Sequence, residues 1–292
     1  AQKNLVMSEI TRPKDGFYEN NNHSAAIEKF LLKTNKTPWE AFWAKEYAFT
    51  LGEIYESRAI YAFYKNDLDK AIAEMKKIPF ESRQVYDEQA EKMVSKQLKL
   101  SESSLPANPF NGFIKDCHDC EHAKKRSPYT KISFLQKVKE MEDKLTKGED
   151  MYNNALLLGN AFYSASYFGN SRAFYYNSIL GETGGFFVNG QNSAMLLSMT
   201  HAKKYYQIAQ QHASTDEQRA KIAYMLAKVE RNEFYNKQYY SEGKIYGVSP
   251  WENEIAFKDW QGFKELRKYP HTQYYKDVIR ECGYFRKITG NK

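Results

Sequence analysis

The stretch Ala155–Ile179, ALLLGNAFYSASYFGNSRAFYYNSI, constrains the chain most. Apolar and aromatic residues recur at helical spacing up to Phe162 and Tyr163, a break follows at Gly169 and Asn170, and Ala173, Tyr175 and Tyr176 resume the pattern. The spacing predicts two short helices folded back on each other, with Gly159, Ala161 and Ala173 where neighbouring backbones approach. One such hairpin cannot bury its apolar face alone, so the rest of the chain must supply partners to stack on it. The fold class expected is all-α, an α-solenoid of antiparallel helical hairpins.

Weaker copies of the pattern lie on both sides. Ser24 is read as the cap of a short helix with Ala25, Ile27, Phe30 and Leu31 on one face. Thr37-Pro38-Trp39-Glu40 is a capping box with proline at the first helical position. From there the helical spacing runs through Phe42, Trp43, Tyr47, Leu51, Ile54 and Tyr55, with a bend expected near Gly52, and stops at Lys65-Asn66-Asp67. Ala71, Ile72, Met75 and Ile78 form the next apolar face, which Pro79 ends. Glu81 to Leu100 is read as a charged helix with Val85, Tyr86, Ala90, Met93 and Val94 as its stripe.

Ser101–Pro128 has no helical period, and an irregular insertion of that length is usually functional or held by a cross-link or metal. Helices resume at Ser133–Leu145, with Gly148 just beyond the end. Gly181-Glu182-Thr183-Gly184-Gly185 lacks the Lys-Ser/Thr of a phosphate loop and reads as a connection. A single helix is expected from Asn192 or Ser193 to Gln211, and Thr215 opens its partner, carrying Ala220, Ile222, Ala223, Leu226 and Ala227. Two last helices, Phe257–Tyr269 and Thr272–Arg286, cap the stack, the second with Tyr274, Val278 and Cys282 on one stripe. The organisation expected is helical hairpins over 1–100, an irregular loop over 101–130 and a helical-repeat region over 131–292, the two helical parts forming one stack.

Composition narrows the function classes. Lys and Arg number 43 against 36 Asp and Glu, a net charge of +7 on a mixed surface. No basic run exceeds Lys124-Lys125-Arg126, which argues against a nucleic-acid stripe. No run approaches the roughly 20 apolar residues that span a bilayer. Residues 1–22 read as a polar lead-in, the tail of a preceding part, and any signal peptide as absent or already removed. The departure from ordinary usage is aromatic, with 23 Tyr and 18 Phe. Most of those rings are expected to pack between helices and the remainder to line a binding face.

One constellation carries chemistry. Asp116-Cys117-His118-Asp119-Cys120-Glu121-His122 crowds two thiols, two imidazoles and three carboxylates into one turn. Cys117 and Cys120 suit either two ligands of a tetrahedral zinc, with His122 or His118 as a third, or one disulfide, or a pair of free or redox-active thiols. A remote second half of a zinc site is missing from the pattern, with only Cys282, His201, His212 and His271 left to supply it. A thioredoxin role lacks its βαβ surroundings, and covalent haem would need histidine where Glu121 stands. Cys282 reads as a small buried hydrophobe, and His201 and His212 as packing or surface residues. No serine elbow, zinc-protease helix or dinucleotide turn is present, so no catalytic residue is assigned.

Residues 54–79, 155–179 and 193–235 resemble tetratricopeptide-type hairpins, with the Leu158-Gly159…Phe162-Tyr163 pattern the best match and the others degenerate. More loosely, NPF…DCHDCEH, ALLLGNAFY…GNSRAFYYNS and YPHTQYYKDVIRECGYF are similar to the C-terminal part of large exported lipoproteins of the Bacteroidota. That second resemblance implies the cell envelope, outside the cytoplasm, where an oxidising setting favours a Cys117–Cys120 disulfide. The expected function is a non-enzymatic protein-binding or scaffolding module that grips a protein or extended peptide on a concave, aromatic-rich face. Two alternatives stand beside it: an envelope protein that stacks a glycan or other small molecule on its rings, and a metal-dependent enzyme using the Cys/His cluster.

Overall fold

The structure is a computed structural model that describes residues 18, 20–47, 49–87, 91–115, 128–180, 190–240 and 260–290. The described residues are mostly helical, with one two-stranded sheet. They gather into two compact units, each made of three stretches of chain. The first comprises Ala1–Leu105, Ser127–Gln136 and Ala173–Met195, and the second Pro106–Arg126, Lys137–Arg172 and Leu196–Lys292.

In the first unit, α1 (Asn21–Leu32) is capped by Asn20, not by Ser24. Ser24 lies inside the first turn, fully buried, and its hydroxyl accepts a hydrogen bond from the Arg58 guanidinium. Helix α2 (Pro38–Glu46) starts at the expected capping box. It does not bend into the next helix at Gly52. The chain leaves helical geometry at Tyr47, and a second box, Thr50 with Glu53, opens α3 (Leu51–Tyr64) afresh. Two reciprocal caps in close succession specify two helices where apolar spacing alone reads as one. Helix α3 is buried from Gly52 to Phe63, and Asn66 then takes a left-handed φ of 59° to turn the chain into α4 (Leu68–Lys77). α3 and α4 pack on each other, as the reading of 54–79 as a hairpin requires. Phe63, Phe134 and Phe174 fill the centre of this unit, with ring centroids 4.8–5.5 Å apart.

The charged helix expected over 81–100 is instead a hairpin of strands β1 (Glu81–Asp87) and β2 (Lys92–Leu98), antiparallel with Val85 opposite Val94. The reason lies at its base. Glu81 accepts hydrogen bonds from Gly52 N (2.9 Å) and the Thr50 hydroxyl (3.0 Å), and Arg83 pairs with Glu53 (3.1 Å). Residues two apart point the same way on a strand and nearly opposite ways on a helix, so only a strand delivers both side chains to the start of α3. The described residues otherwise agree with the all-α expectation, and this two-stranded ribbon is their one sheet.

Helix α5 (Lys131–Thr146) follows the irregular segment, and Gly148, at φ 76°, ends it as expected. Helix α6 (Met151–Ser164) is the first half of the 155–179 pattern. The second half is not a helix. Ala165–Ser171 turns through Ser166, whose hydroxyl donates to Tyr163 O, and Arg172–Phe174 makes only one 3-10 turn. Phe174 and Tyr175 instead fill the core of the first unit.

The helix expected over 192–211 is two, α7 (Gly190–Leu197) and α8 (Thr200–Gln211). Ser198 Oγ accepts from the amide of Thr200 and so competes with helix continuation between them. In the second unit α6 packs on α8, α8 on α9 (Asp216–Tyr235), and α9 on α10 (Gln261–Leu266). The Thr215 box opens α9 as expected, and a π turn, Asn236–Tyr240, closes it. A Cβ on Gly262 would stand 2.4 Å from Ala223 O and Ala227 N, so glycine is what lets α10 lie against the α9 backbone. The last expected helix is also two, α11 (Gln273–Glu281) and α12 (Gly283–Thr289), broken at Cys282.

Candidate functional site

Helix α2 stands out because it buries none of its residues. Thr37 accepts from Glu40 N (3.2 Å) while the Glu40 carboxylate accepts from Thr37 N (2.8 Å) and from Lys33 Nζ (2.6 Å). The Lys33 hydrogen bond, then those from Thr37, hold the Glu40 carboxyl down at about 2. The helix is thus fixed at its start by polar contacts and not by core burial. On it, Trp39, Phe42 and Trp43 fall at i, i+3 and i+4, one surface stripe. Their rings pack only 5.3–5.8 Å apart, Trp39 stacked on Phe42 and edge-on to Trp43. Trp39 is 66% exposed, and Leu32, at the end of α1, is 54% exposed. Phe42 and Trp43 are half-buried, so the exposed part of the cluster is the Trp39 ring, and aromatic side chains of this size ordinarily bury about 150–250 Å² each.

Elsewhere the first unit holds a buried ionic network. Lys131 donates to Glu56 Oε1 (2.9 Å) and Tyr176 O (2.8 Å), and Asn177 donates to Glu56 Oε2 (2.7 Å) and Glu53 O (3.1 Å). Ser178 donates to Glu53 Oε1 (2.7 Å), the atom that Arg83 also reaches. Both oxygens of Glu56 are engaged and its charge is matched by Lys131, so this is a closed structural lock. It offers no open carboxylate for acid–base work.

In the second unit a small recess lies beside Asn160, Tyr163 and Lys228, with room for about one water molecule. Its polar groups are committed to the chain before the cysteines. Asn160 donates to Phe110 O (2.9 Å) and accepts from the Tyr206 hydroxyl (3.0 Å). Tyr224 donates to Ile114 O (2.7 Å). Lys228 donates to Phe113 O (2.7 Å), with its ammonium 4.3 Å from the centre of the Tyr163 ring. The described part of the irregular segment is therefore not loose. Leu105, Ala107 and Phe110 are buried, and helix side chains hold its carbonyls.

Cys117, Cys120, His118 and His122 lie outside the described residues, as do Gly181–Gly185. Among the described residues no group of three or more His, Cys, Asp or Glu is placed to hold a metal ion. Cys282 is a half-buried free thiol at the α11–α12 break, not a core residue. His201 packs on Phe162 at 4.9 Å, His212 is exposed at the end of α8, and His271 pairs with Asp216 at 3.0 Å on the surface. Reading the sequence placed the start of α2 but neither its end nor its exposure, and it missed the Glu56–Lys131 pair altogether. The adjacency of Trp39, Phe42 and Trp43 without an aliphatic partner was the available signal. No helix of the described residues is long and apolar enough to cross a membrane. No family model matches the chain, and neither the curated proteins nor the solved structures contain a match to it.

Proposed function

We propose that the chain is a non-enzymatic protein-binding module whose principal contact is the aromatic face of α2. The observation that supports this is a helix that carries three mutually packed rings, none of its residues fully buried and Trp39 largely exposed. Tryptophan dominates binding hot spots because it covers much area at little cost in side-chain entropy. A partner that covers Trp39 and Trp43 gains that area at once. The packed pairs α3–α4, in the first unit, and α8–α9, in the second, support helical hairpins as the scaffold within each unit.

The test is a cross-linking pull-down with wild type beside a Trp39→Ala/Trp43→Ala variant. The double variant should keep its thermal transition, since neither ring is in the core, and lose the partner. Retention of every wild-type partner by the variant would overturn the reading. The exposed Trp39 ring also favours, as second reading, a sugar stacked on its face; quenching of tryptophan fluorescence by oligosaccharides and not by proteins would promote it. An envelope setting and a zinc or disulfide at Cys117 and Cys120, with His118 or His122, belong to this proposal through the resemblance and the ligand density. Elemental analysis of purified protein with and without reductant separates metal, disulfide and free thiol in one experiment.

A further inference from the structure

Of the two lysines on α9, the fold supplies only one with an acceptor. Lys228 donates to Phe113 O (2.7 Å), and Tyr224, one turn earlier, donates to Ile114 O (2.7 Å). Lys221 lies three residues before Tyr224 and seven before Lys228, on the same face of the helix. It is half-buried, and among the described residues it makes no hydrogen bond or ion pair. The acceptors within a turn or so of it are committed elsewhere. Glu217 accepts from the amides of Gln273 (3.1 Å) and Tyr274 (2.8 Å), which start α11. Gln218 Oε1 accepts from the amides of Ser214 (2.7 Å) and Thr215 (3.2 Å), and Asp216 pairs with Arg219 (2.8 Å) and His271 (3.0 Å). Lys131, which is more deeply buried, has Glu56 at 2.9 Å to match it. Lys221 has nothing comparable. Drawing an ammonium out of water without a counter-charge disfavours its charged form, so burial holds the Lys221 amine below the usual lysine value. More of it is then neutral at a given pH, and the neutral amine is the nucleophile.

We propose that Lys221 is an acylation site, whose half-buried and unmatched amine takes a short acyl group from an acyl phosphate. The neutral Nζ attacks the acyl carbon, and the new C–N bond forms as the C–O bond to phosphate breaks. Phosphate leaves with the bonding pair, and the amine gives up its proton to water. The product is a neutral amide. It removes a charge for which the fold provides no partner, so the modified side chain suits a half-buried position better than the ammonium does. Half-burial also favours a short acyl chain over a bulky one. Lys70 and Lys264, by contrast, are exposed.

The test incubates the full chain with acetyl phosphate from neutral to alkaline pH and reads acetylation residue by residue by peptide mass spectrometry. At neutral pH Lys221 should be acetylated about threefold or more faster than Lys70 and Lys264, and its rate should level off at lower pH than theirs. Gln218→Glu supplies the separating variant. Glutamate keeps an oxygen that accepts from Ser214 and Thr215, so the start of α9 should persist, and it sets a carboxylate three residues from Lys221. A negative charge there favours the ammonium, so the variant should slow Lys221 by about the same factor and leave Lys70 and Lys264 unchanged. Acetylation of Lys221 no faster than that of the exposed lysines, a pH profile that coincides with theirs, or a rate unmoved by Gln218→Glu would each overturn the proposal.

Discussion

At the scale of single residues, Gly159 shows how a correct sequence reading can have the wrong partner. The position must be small, because a Cβ there would stand 2.4 Å from Cδ1 of Tyr206. What presses on it is a ring from α8, 1% exposed and hydrogen-bonded to Asn160, and not the segment that follows in sequence. Gly159→Ala should therefore cost about 1–3 kcal/mol, as overpacking does, read as a lowered thermal midpoint. The Lys131–Glu56 pair predicts a non-additive result. Lys131→Met strands a buried carboxylate and should cost about 3 kcal/mol or more, and adding Glu56→Gln should recover part of it in chemical denaturation.

Glu28 sets an acid limit. Partial burial raises its carboxyl, but hydrogen bonds from Arg58 and Tyr55 and the Arg58 charge outweigh that and hold it below the ordinary 4.5. A carboxyl depressed in the folded state binds its proton more readily when unfolded. Its stabilisation is thus complete above the unfolded value and is lost as pH falls through the folded one. Melting curves between neutral pH and pH 3 should fall in wild type and fall less steeply in Glu28→Gln.

At the scale of elements, some caps were legible, though not those at Asn20 and Thr50, and the continuity of helices was not. Thr37/Glu40, Thr215/Gln218 and the Asn66 turn stand where local chemistry puts them, because a cap is a contact among residues three apart. Apolar spacing, by contrast, carried readings across Tyr47–Thr50, Ser198–Met199 and Cys282, where the chain breaks. Helix α2 makes a case, since its start is held by this box and none of its residues is fully buried. Thr37→Ala should cost about 1 kcal/mol locally. That loss should appear as faster amide exchange within 38–46 with little change in the global melting temperature. The β1–β2 ribbon was illegible for a different reason. Val85, Tyr86, Met93 and Val94 share a stripe at helical spacing, whereas the ribbon pairs Val85 with Val94 and Tyr86 with Met93 on alternate faces, and the choice was made by Glu81 and Arg83 reaching α3.

At the scale of the whole molecule, each unit is assembled from distant stretches of chain. The first needs Phe134, Phe174 and Lys131 to complete what Phe63 and Glu56 begin. A fragment of residues 1–105 should accordingly lack a cooperative transition and near-ultraviolet circular dichroism signal, although it contains α1 to α4 and the ribbon. The whole chain under the same conditions should show both.

By itself the sequence determined that this protein is mostly helical, that helices begin at Pro38 and Asp216, that Gly159 needs a close neighbour and that Phe42 and Trp43 sit on the helix from Pro38. These follow from propensities and contacts within a few residues, which any fold must respect. Only the tertiary structure decided that Phe174 and Tyr175 serve another unit's core, that 81–98 is a ribbon, and that Trp39 stays in water while Glu56 and Lys131 do not. Burial and pairing between remote residues turn on which surfaces compete for the same space, and no local pattern encodes the winner.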